Sequence, residues 1–259
     1  MNTVLTIAGS DCSGGAGIQA DLKTITVHRA YGMSVITSLT SQNTTGVYSI
    51  FDAPSDFIES QIDVVFSDIP PMAIKIGMVS NSKIVNSIYN KLIEHRAENI
   101  VVDPVMVSTS NGNLIETDAI NELVNKLFKV ATIVTPNIKE AQVLANMNIE
   151  TEEDMIEAAK IISTKTNGAV LIKGGHLSGK PNDLLYKEGK CIWFKGERID
   201  NPNTHGTGCT LSSAIACNLA SNLSVEESVR RAKEYVEGAI KANLNLGKGS
   251  GPLNHMYNI

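Results

Sequence analysis

Six short apolar runs, each ending at or next to a glycine or a polar residue, constrain the fold of this chain more than any other feature. The runs are nearly continuous in apolar residues, which is typical of parallel strands buried on both faces of a sheet. Helical patterns separate the runs, and this alternation predicts a parallel sheet between two layers of helices. The predicted strands are Val4 to Ala8, Ser34 to Thr40, Ala73 to Gly77, Asn99 to Asp103, Ala131 to Thr135 and Ala169 to Lys173.

The predicted helices carry apolar residues at intervals of three and four. Ile58 to Ile69 follows this spacing, and so does Val225 to Ile240. A β-hairpin is predicted late in the chain, with strands Asp183 to Tyr186 and Cys191 to Lys195. We therefore predict one α/β domain over residues 1–259, a three-layer α/β/α sandwich with a mostly parallel sheet.

Charge and cysteine usage exclude several classes of function. The net charge of −5 argues against broad binding of nucleic acid or anionic membranes, because little positive charge is available to release counterions. No apolar run approaches the roughly 20 residues that a membrane span needs. The four cysteines form no CxxC pair, so neither a zinc site nor a disulfide framework is indicated. We expect a cytoplasmic protein with no membrane or nucleic-acid partner.

The segment NTHGTGC, residues 203–209, precedes a predicted helix and gives the strongest local signal. Gly206 and Gly208 allow a sharp turn and let backbone N–H groups approach a ligand without a Cβ clash. The first N–H groups of a helix lack intrahelical partners and lie at the positive end of its dipole, which suits a transferring phosphoryl group. A tight turn without a ligand is the alternative, because short glycine motifs also arise by chance.

Cys209 stands at the start of this predicted helix, where two interpretations compete. The helix dipole is expected to lower the pKa of a thiol there, so that Cys209 can act as a base on a substrate hydroxyl. Alternatively, Cys209 is a small buried hydrophobe, as most free cysteines are. The residues alone leave both open.

Polar residues that follow the other strands have both a structural and a chemical interpretation. Asn137 and Glu140 can form a capping box, or they can hold water around a magnesium ion. Lys173 is either solvated or a point charge for nucleotide phosphates. Asp103 either ends its strand or orients water on the metal. Asp21, in the helix after the glycine-rich first loop, is either a solvated carboxylate or part of a ligand pocket.

Taken in order, these segments resemble the ribokinase-like superfamily and, within it, the hydroxymethylpyrimidine/phosphomethylpyrimidine kinases of thiamine biosynthesis. The similarity runs from about Leu5 to His255 and depends on the joint order of many short elements. Two residues depart from the pattern, Cys12 where Pro is frequent and Ser41 where Ala is frequent. The elements are TIAGSDCSGGAGIQADLKT, YGMSVITSLTSQNTTGV, IKIGM, VDPVM, TPNIKEA, IKGGH, NTHGTGCTLSSAIA and GKGSGPLNH.

The resemblance implies a role for each element. Gly206, Thr207, Gly208 and Cys209 would form the anion hole, with Cys209 as the catalytic base where related sugar kinases carry an aspartate. Gln42 would bind the pyrimidine, because an amide both donates to and accepts from an aminopyrimidine edge. The other expected contacts are Gly9, Ala16, Asp21, Met78 and Val105 for the pyrimidine, Lys173, Asn137 and Thr207 for ATP, and Glu140 and Asp103 for Mg²⁺.

The same resemblance implies Mg·ATP as phosphoryl donor, a homodimer, and two successive reactions. The first phosphorylates the hydroxymethyl group of 4-amino-5-hydroxymethyl-2-methylpyrimidine, and the second converts the monophosphate into the diphosphate used for thiamine. A pyridoxal kinase is the nearest alternative, since vitamin B6 carries a similar hydroxymethyl group. A catalytically silent pyrimidine- or vitamin-binding sensor is the alternative of another class. The presence of Cys209, Lys173 and Glu140 argues against the sensor.

Overall fold

The computed structural model describes residues 1–106, 116–175 and 181–259, with the backbone alone at residue 117. Strands from these segments form one sheet. They are β1 (Thr3–Asp11), β2 (Tyr31–Asn43), β3 (Gly46–Asp52), β4 (Ala73–Ile76), β5 (Ile100–Val102), β6 (Ile133–Val134), β7 (Ala169–Ile172), β8 (Asp183–Lys187) and β9 (Lys190–Phe194).

The strand order across this sheet is β3-β2-β1-β4-β5-β6-β7-β8-β9. Six central strands pair in parallel, in the order β2-β1-β4-β5-β6-β7. β3 is antiparallel at one edge, and β8 and β9 form an antiparallel hairpin at the other. The mostly parallel sheet and the late hairpin predicted from the sequence are therefore confirmed.

Helices cover both faces of the sheet and enclose two apolar cores. One core lies beneath the first, eighth and ninth helices, and the other beneath the second to seventh. The helices are α1 (Gly17–Val27), α2 (Ser55–Asp68), α3 (Ser82–Glu94), α4 (Thr117–Glu122), α5 (Phe128–Val130), α6 (Ile138–Ala145), α7 (Glu152–Ser163), α8 (Thr207–Ala220) and α9 (Val225–Lys241), with a π-helical turn at Leu123–Leu127 between α4 and α5.

Strand β1 shows why its apolar run is continuous. Leu5 and Ile7 belong to the core beneath α2 to α7, whereas Val4 belongs to the core beneath α1, α8 and α9. Successive side chains of a strand point to opposite faces of the sheet. A strand covered by helices on both faces therefore needs apolar residues at nearly every position.

The ribbon that carries Gln42 differs from the prediction. β2 does not end at Thr40 but continues to Asn43, and Val47 of the antiparallel β3 lies opposite Gln42. Most of β3 is exposed or half-buried at the sheet edge. A strand without a buried face shows no apolar alternation, so the sequence pattern gave no sign of it.

No helix within the three described segments is long and apolar enough to cross a membrane.

Candidate active site

A cavity of about 550 Å³ opens where the carboxyl ends of the central strands meet the start of α8. Ligands of open α/β sheets bind at this edge, outside the carboxyl ends of the strands. All but one of the predicted site residues line the cavity. Those that do are Gly9, Ala16, Gln42, Met78, Asp103, Val105, Asn137, Glu140, Lys173, Gly206, Thr207, Gly208 and Cys209.

The start of α8 has the geometry of an anion hole. Gly206 precedes the helix with a φ of 84°, and a Cβ atom there would collide with the carbonyl oxygen of Gly15. The Thr207 N–H donates to the Thr204 carbonyl at 3.3 Å. Within the described segments, the N–H groups of the next two residues, Gly208 and Cys209, have no backbone acceptor. These two groups are the donors that α8 offers to an anion.

Lys173 and Asp103 form an ion pair beside this helix start. The Lys173 ammonium donates to Asp103 Oδ1 at 2.7 Å, and its side chain is 15% exposed. A Cβ atom on Gly208 would lie 3.3 Å from Lys173 Nζ, so the ammonium sits against the backbone of the anion hole. Burial lowers the pKa of Lys173, but the charges of Asp103 and Glu140 outweigh it and raise the pKa. The solvated interpretation of Lys173 is therefore wrong. His176, the end of the IKGGH element, lies outside the described residues.

Asn137 and Glu140 form the predicted capping box of α6. The Asn137 side chain accepts from the Glu140 N–H at 3.0 Å, and Glu140 Oε2 accepts from the Asn137 N–H at 2.7 Å. Glu140 is nonetheless buried in the cavity wall, and burial raises the pKa of its carboxyl to about 7. Asp103 raises that pKa further, while Lys173 opposes the shift. The structural interpretation is confirmed, and the same carboxylate also lines the cavity.

The donor set fits a hydrated magnesium ion. No three His, Cys, Asp or Glu side chains cluster in a metal-binding arrangement in the parts of the chain that the structure covers. Magnesium keeps several waters and is usually held by one or two carboxylates together with substrate phosphates. Asp103 and Glu140 supply two carboxylates in one cavity, and the negative charges of these two groups repel each other. A cation between them would neutralise part of this charge.

Two residues absent from the predicted site, Thr40 and His205, lie against the Gln42 amide. The single proton of the Thr40 hydroxyl has two acceptors, the Ser10 carbonyl at 2.9 Å and Gln42 Oε1 at 3.0 Å, and the second contact orients the amide. Gln42 Nε2 lies 3.3 Å from His205 Nε2, and His205 Nε2 lies 2.9 Å from Asp11 Oδ2. Burial raises the pKa of Asp11, but hydrogen bonds from His205 and Ser13 outweigh it and bring the pKa to about 2. An ionised Asp11 accepts the His205 proton, so the Gln42 amide group keeps its own protons for a ligand.

Small and apolar residues form the wall beside Gln42. Met78 packs over Gly9, because a Cβ atom on Gly9 would lie 3.1 Å from the Met78 sulfur. Ala16 and Val105 complete the residues predicted for this wall. The cavity lining therefore combines these apolar residues with the Gln42 amide and its polar neighbours Thr40 and His205, a mixture typical of small-molecule pockets.

Asp21 is the predicted site residue that does not line the cavity. Its side chain is 0% exposed, and both carboxylate oxygens accept from Lys75 Nζ, at 2.9 and 2.7 Å. Thr6 and Ser213 hydroxyls donate to the same carboxylate at 2.6 and 2.7 Å. Both interpretations of Asp21, solvated carboxylate and pocket wall, are therefore wrong. A lysine inside an apolar strand, Lys75 in AIKIG, was the signal that a buried partner existed.

Cys209 lines the cavity, but its ionisation differs from the prediction. Burial raises the pKa of the thiol to about 11, since it disfavours the thiolate. The positive charge of Lys75 pulls the pKa down, and the charges of Asp21 and Asp103 push it up. The expectation that the helix start would lower this pKa is wrong, because desolvation is the larger effect.

The segment 247–255 contacts two walls of the cavity. The Gly249 N–H donates to Thr44 Oγ1 at 3.1 Å, next to the ribbon that carries Gln42. Eleven residues of α8 are buried, and His255 Nε2 lies 3.0 Å from Thr210 Oγ1 in its first turn. One stretch of chain therefore contacts both the predicted pyrimidine wall and the helix of the anion hole.

Sequence comparisons relate the chain to vitamin kinases. The sequence model of the family described as phosphomethylpyrimidine kinase matches residues 11–254. The hydroxymethylpyrimidine/phosphomethylpyrimidine kinase of Streptomyces coelicolor is 44% identical over 97% of this chain and 93% of that protein. The thiamine biosynthesis bifunctional protein of Geobacter sulfurreducens is 48% identical over 98% of this chain, and the chain spans 52% of that longer protein.

A solved structure shows the same fold. The pyridoxal kinase of Staphylococcus aureus, in complex with AMP-PCP and pyridoxal, superposes with a TM-score of 0.92 at 34% identity. The match covers 100% of this chain and 94% of that one.

Proposed function

We propose, since this chain belongs to the phosphomethylpyrimidine kinase family and is a phosphotransferase, that ATP is the donor with which it phosphorylates 4-amino-5-hydroxymethyl-2-methylpyrimidine. The observation that carries the proposal is the meeting of two arrangements in one cavity. The N–H groups of Gly208 and Cys209, which have no backbone acceptor among the described residues, stand beside the Lys173 ammonium, and the oriented Gln42 amide lies on the ribbon of β2 and β3.

The residues around the start of α8 stabilise charge during transfer. The substrate hydroxyl oxygen bonds to the γ-phosphorus as the bond to the bridging oxygen of ADP breaks, and charge on the moving group stays high. The Gly208 and Cys209 N–H groups and Lys173 face that charge. Preorganised donors of this kind are commonly worth about 10²-fold to 10³-fold in turnover each.

Cys209 is the proposed acceptor of the hydroxyl proton. The thiolate is the basic form, and at neutral pH burial keeps the thiolate fraction small. Turnover is therefore expected to rise with pH above neutrality, since each step of one unit raises the thiolate fraction about tenfold below the pKa.

Asp103 and Glu140 are the residues proposed to hold Mg²⁺ through its waters. The ion, when bound, neutralises negative charge between the nucleotide phosphates. In this arrangement Lys173 has two tasks, because it pairs with Asp103 and also meets the phosphates as a point charge. Asn137 supports Glu140 through the capping box, and it also lines the cavity, where it is the proposed ATP contact.

The second proposed reaction adds a phosphoryl group to the monophosphate and yields the diphosphate for thiamine synthesis. Its acceptor is a phosphate oxygen rather than a hydroxyl, so the same anion hole can stabilise the transferring group while no hydroxyl proton has to leave. Loss of Cys209 should therefore impair the first reaction more than the second.

Pyridoxal phosphorylation is the second candidate, favoured by the TM-score of 0.92 against a pyridoxal kinase with pyridoxal bound. Pyridoxal and the pyrimidine carry the same hydroxymethyl group on a six-membered heteroaromatic ring. The two differ at the ring edge, where the oriented Gln42 amide offers both a donor and an acceptor. An aminopyrimidine edge satisfies both, which favours the pyrimidine.

ADP release with each substrate tests these proposals. The wild type should release ADP faster with the pyrimidine than with pyridoxal, and Cys209→Ala should lose most of that rate while calorimetry still detects pyrimidine binding. Cys191→Ala, an exposed cysteine on β9, is the matched control and should keep the wild-type rate. If both substrates bind and neither yields ADP, the sensor interpretation replaces the kinase. An unchanged rate in Cys209→Ala would dismiss the base.

A further inference from the structure

The carboxylate of Asp11, at the end of β1, holds the glycine-rich loop that follows it. Asp11 is 3% exposed. Its Oδ1 accepts from the Ser13 N–H at 2.9 Å and from the Ser13 hydroxyl at 2.8 Å. Its Oδ2 accepts from the N–H groups of Gly15 at 3.1 Å and Ala16 at 2.9 Å. Ala16 lines the cavity as a predicted pyrimidine contact. One buried carboxylate therefore sets the shape of residues 12–16, which carry part of the pyrimidine wall.

The same carboxylate also reaches the residue that precedes the anion hole. His205 Nε2 lies 2.9 Å from Asp11 Oδ2, and both side chains are buried. The backbone N–H of His205 donates to the Gly251 carbonyl at 3.1 Å, and the next residue, Gly206, caps α8. His205 is thus held on two sides, through its imidazole by the first loop and through its backbone by the segment 247–255. The Asp11–His205 pair therefore connects the first loop to the start of α8.

Backbone contacts fix the spacing beside this pair. A Cβ atom on Gly15 would lie 2.3 Å from His205 Cδ2, so the imidazole ring lies against the backbone of the loop. A Cβ atom on Gly206 would lie 1.9 Å from the Gly15 carbonyl oxygen, so α8 begins against the same loop residue. Because protein interiors are close-packed, the loop cannot shift here without moving its neighbours. The position of the pyrimidine wall relative to the anion hole is therefore decided at this contact.

Asp11 has no acceptor position left for a ligand. Five donors converge on its two oxygens, namely two from Ser13 and one each from Gly15, Ala16 and His205. An ionised carboxylate offers about four lone-pair sites. Although Asp11 lines the cavity, it therefore acts on the reaction through the groups that it holds. None of the steps proposed above uses the Asp11–His205 pair.

We infer that Asp11 and His205 are positioning residues: their hydrogen bond fixes the pyrimidine wall relative to the anion hole and so aligns the acceptor hydroxyl of the substrate with the transferring phosphoryl group. The catalytic part of this inference rests on the proposed function. Alignment is sensitive to small displacements, because a misplacement of about 1 Å can lower a rate by about 10²-fold. The hydrogen bond between these two residues is therefore expected to control the rate of transfer.

Three replacements of His205 separate alignment from stability. His205→Met fills similar space but cannot donate to Asp11. His205→Gln carries an amide N–H at about the reach of Nε2, whereas His205→Asn carries the same group one bond closer to the backbone and falls short of Asp11. The rate of phosphoryl transfer to the pyrimidine in a single turnover should fall at least about tenfold in the Met and Asn variants and stay within about threefold of the wild type in the Gln variant. Affinity for AMP-PCP in calorimetry should stay unchanged in all three, because Lys173 and the anion hole are kept.

A pair that only stabilises the fold predicts a different result. Its loss would lower the melting temperature, but folded enzyme assayed well below that temperature would transfer phosphate at the wild-type rate. A wild-type rate in folded His205→Met, or equal losses in the Gln and Asn variants, would overturn the inference. His95→Met is the matched control, since His95 Nε2 lies 2.7 Å from Asp63 Oδ1 of α2, and it should keep the wild-type rate.

Crystal structures of the variants without ligands test the inference without turnover. In His205→Met, or in His205→Asn if the Met variant does not fold, residues 12–16 should be displaced from the start of α8 by roughly 1 Å relative to the wild type. In His205→Gln they should keep the wild-type position. An undisplaced loop in a variant that lacks the hydrogen bond refutes the inference. A wild type that does not phosphorylate the pyrimidine would instead count against the proposed function alone.

Discussion

Replacing Glu140 by Gln should stabilise the protein at high pH while it slows turnover. Gln keeps the size of the side chain, and its amide oxygen can still accept the Asn137 N–H of the capping box. What the substitution removes is a buried negative charge beside Asp103. Burial is the main reason that the pKa of Glu140 lies near 7, above its ordinary value of 4.5.

The sign and size of this change in stability follow from the linkage between proton binding and folding. A carboxyl whose folded-state pKa is raised binds its proton more tightly in the folded state, so the wild type loses stability as pH rises from 4.5 to about 7. The full loss corresponds to about 3 kcal/mol at 1.36 kcal/mol per unit. Glu140→Gln avoids this loss. It should therefore be more stable than the wild type by up to about 3 kcal/mol at pH 8 and by much less near pH 5.

Urea unfolding at these two pH values, with a metal chelator present, measures the difference. Asp154→Asn is the matched control, since Asp154 occupies the same capping-box position in α7. Hydrogen bonds from the Glu150 N–H and from Thr151 lower the pKa of Asp154, so its replacement should destabilise the protein at both pH values. Equal stability differences for Glu140→Gln at the two pH values would refute the reasoning. With Mg·ATP and pyrimidine, the same variant should turn over more slowly than the wild type.

Three further substitutions test other parts of the cavity. Gln42→Leu should weaken pyrimidine binding by roughly tenfold or more without changing ATP affinity in calorimetry; an equal loss of both would indicate a wrong site. Gly206→Ala should lower the melting temperature and abolish turnover, because φ is 84° and a Cβ atom would strike Gly15. Gly189→Ala is the control: its φ is 78° but the space around it is open, so the free energy of unfolding should fall by only about 1–2 kcal/mol. Lys173→Met should raise KM for ATP in initial-rate measurements more than KM for the pyrimidine; a parallel rise in both would contradict its assignment to the phosphates.

The sandwich and most of the cavity could be predicted because they depend on local signals. Continuous apolar runs located the buried strands, and the glycines of NTHGTGC located the start of α8. The ribokinase-like fold expected from the resemblance is confirmed by the strand order and by the superposition on a pyridoxal kinase. The carboxyl ends of parallel strands meet at one edge, so the residues after each strand were bound to be neighbours.

The parts that could not be predicted depend on contacts between distant segments. Asp21 and Lys75 are 54 positions apart, and nothing local to Asp21 distinguishes a buried carboxylate from an exposed one. The pKa of Cys209 is decided by desolvation, which the sequence does not display. The His205–Asp11 pair spans 194 positions and was missed for the same reason.

The segment 247–255 has a consequence for how the protein matures on the ribosome. The contact between Thr210 and His255 forms only after His255, 45 positions later, has been synthesised. The hydrogen bond from Gly249 to Thr44 requires a residue that is synthesised 205 positions after Thr44. Domains generally fold as units, and those nearer the amino terminus fold first during synthesis. The pyrimidine wall is translated early but lacks its contact with Gly249 through most of elongation, so nascent chains stalled before residue 249 should hold an incompletely anchored pocket.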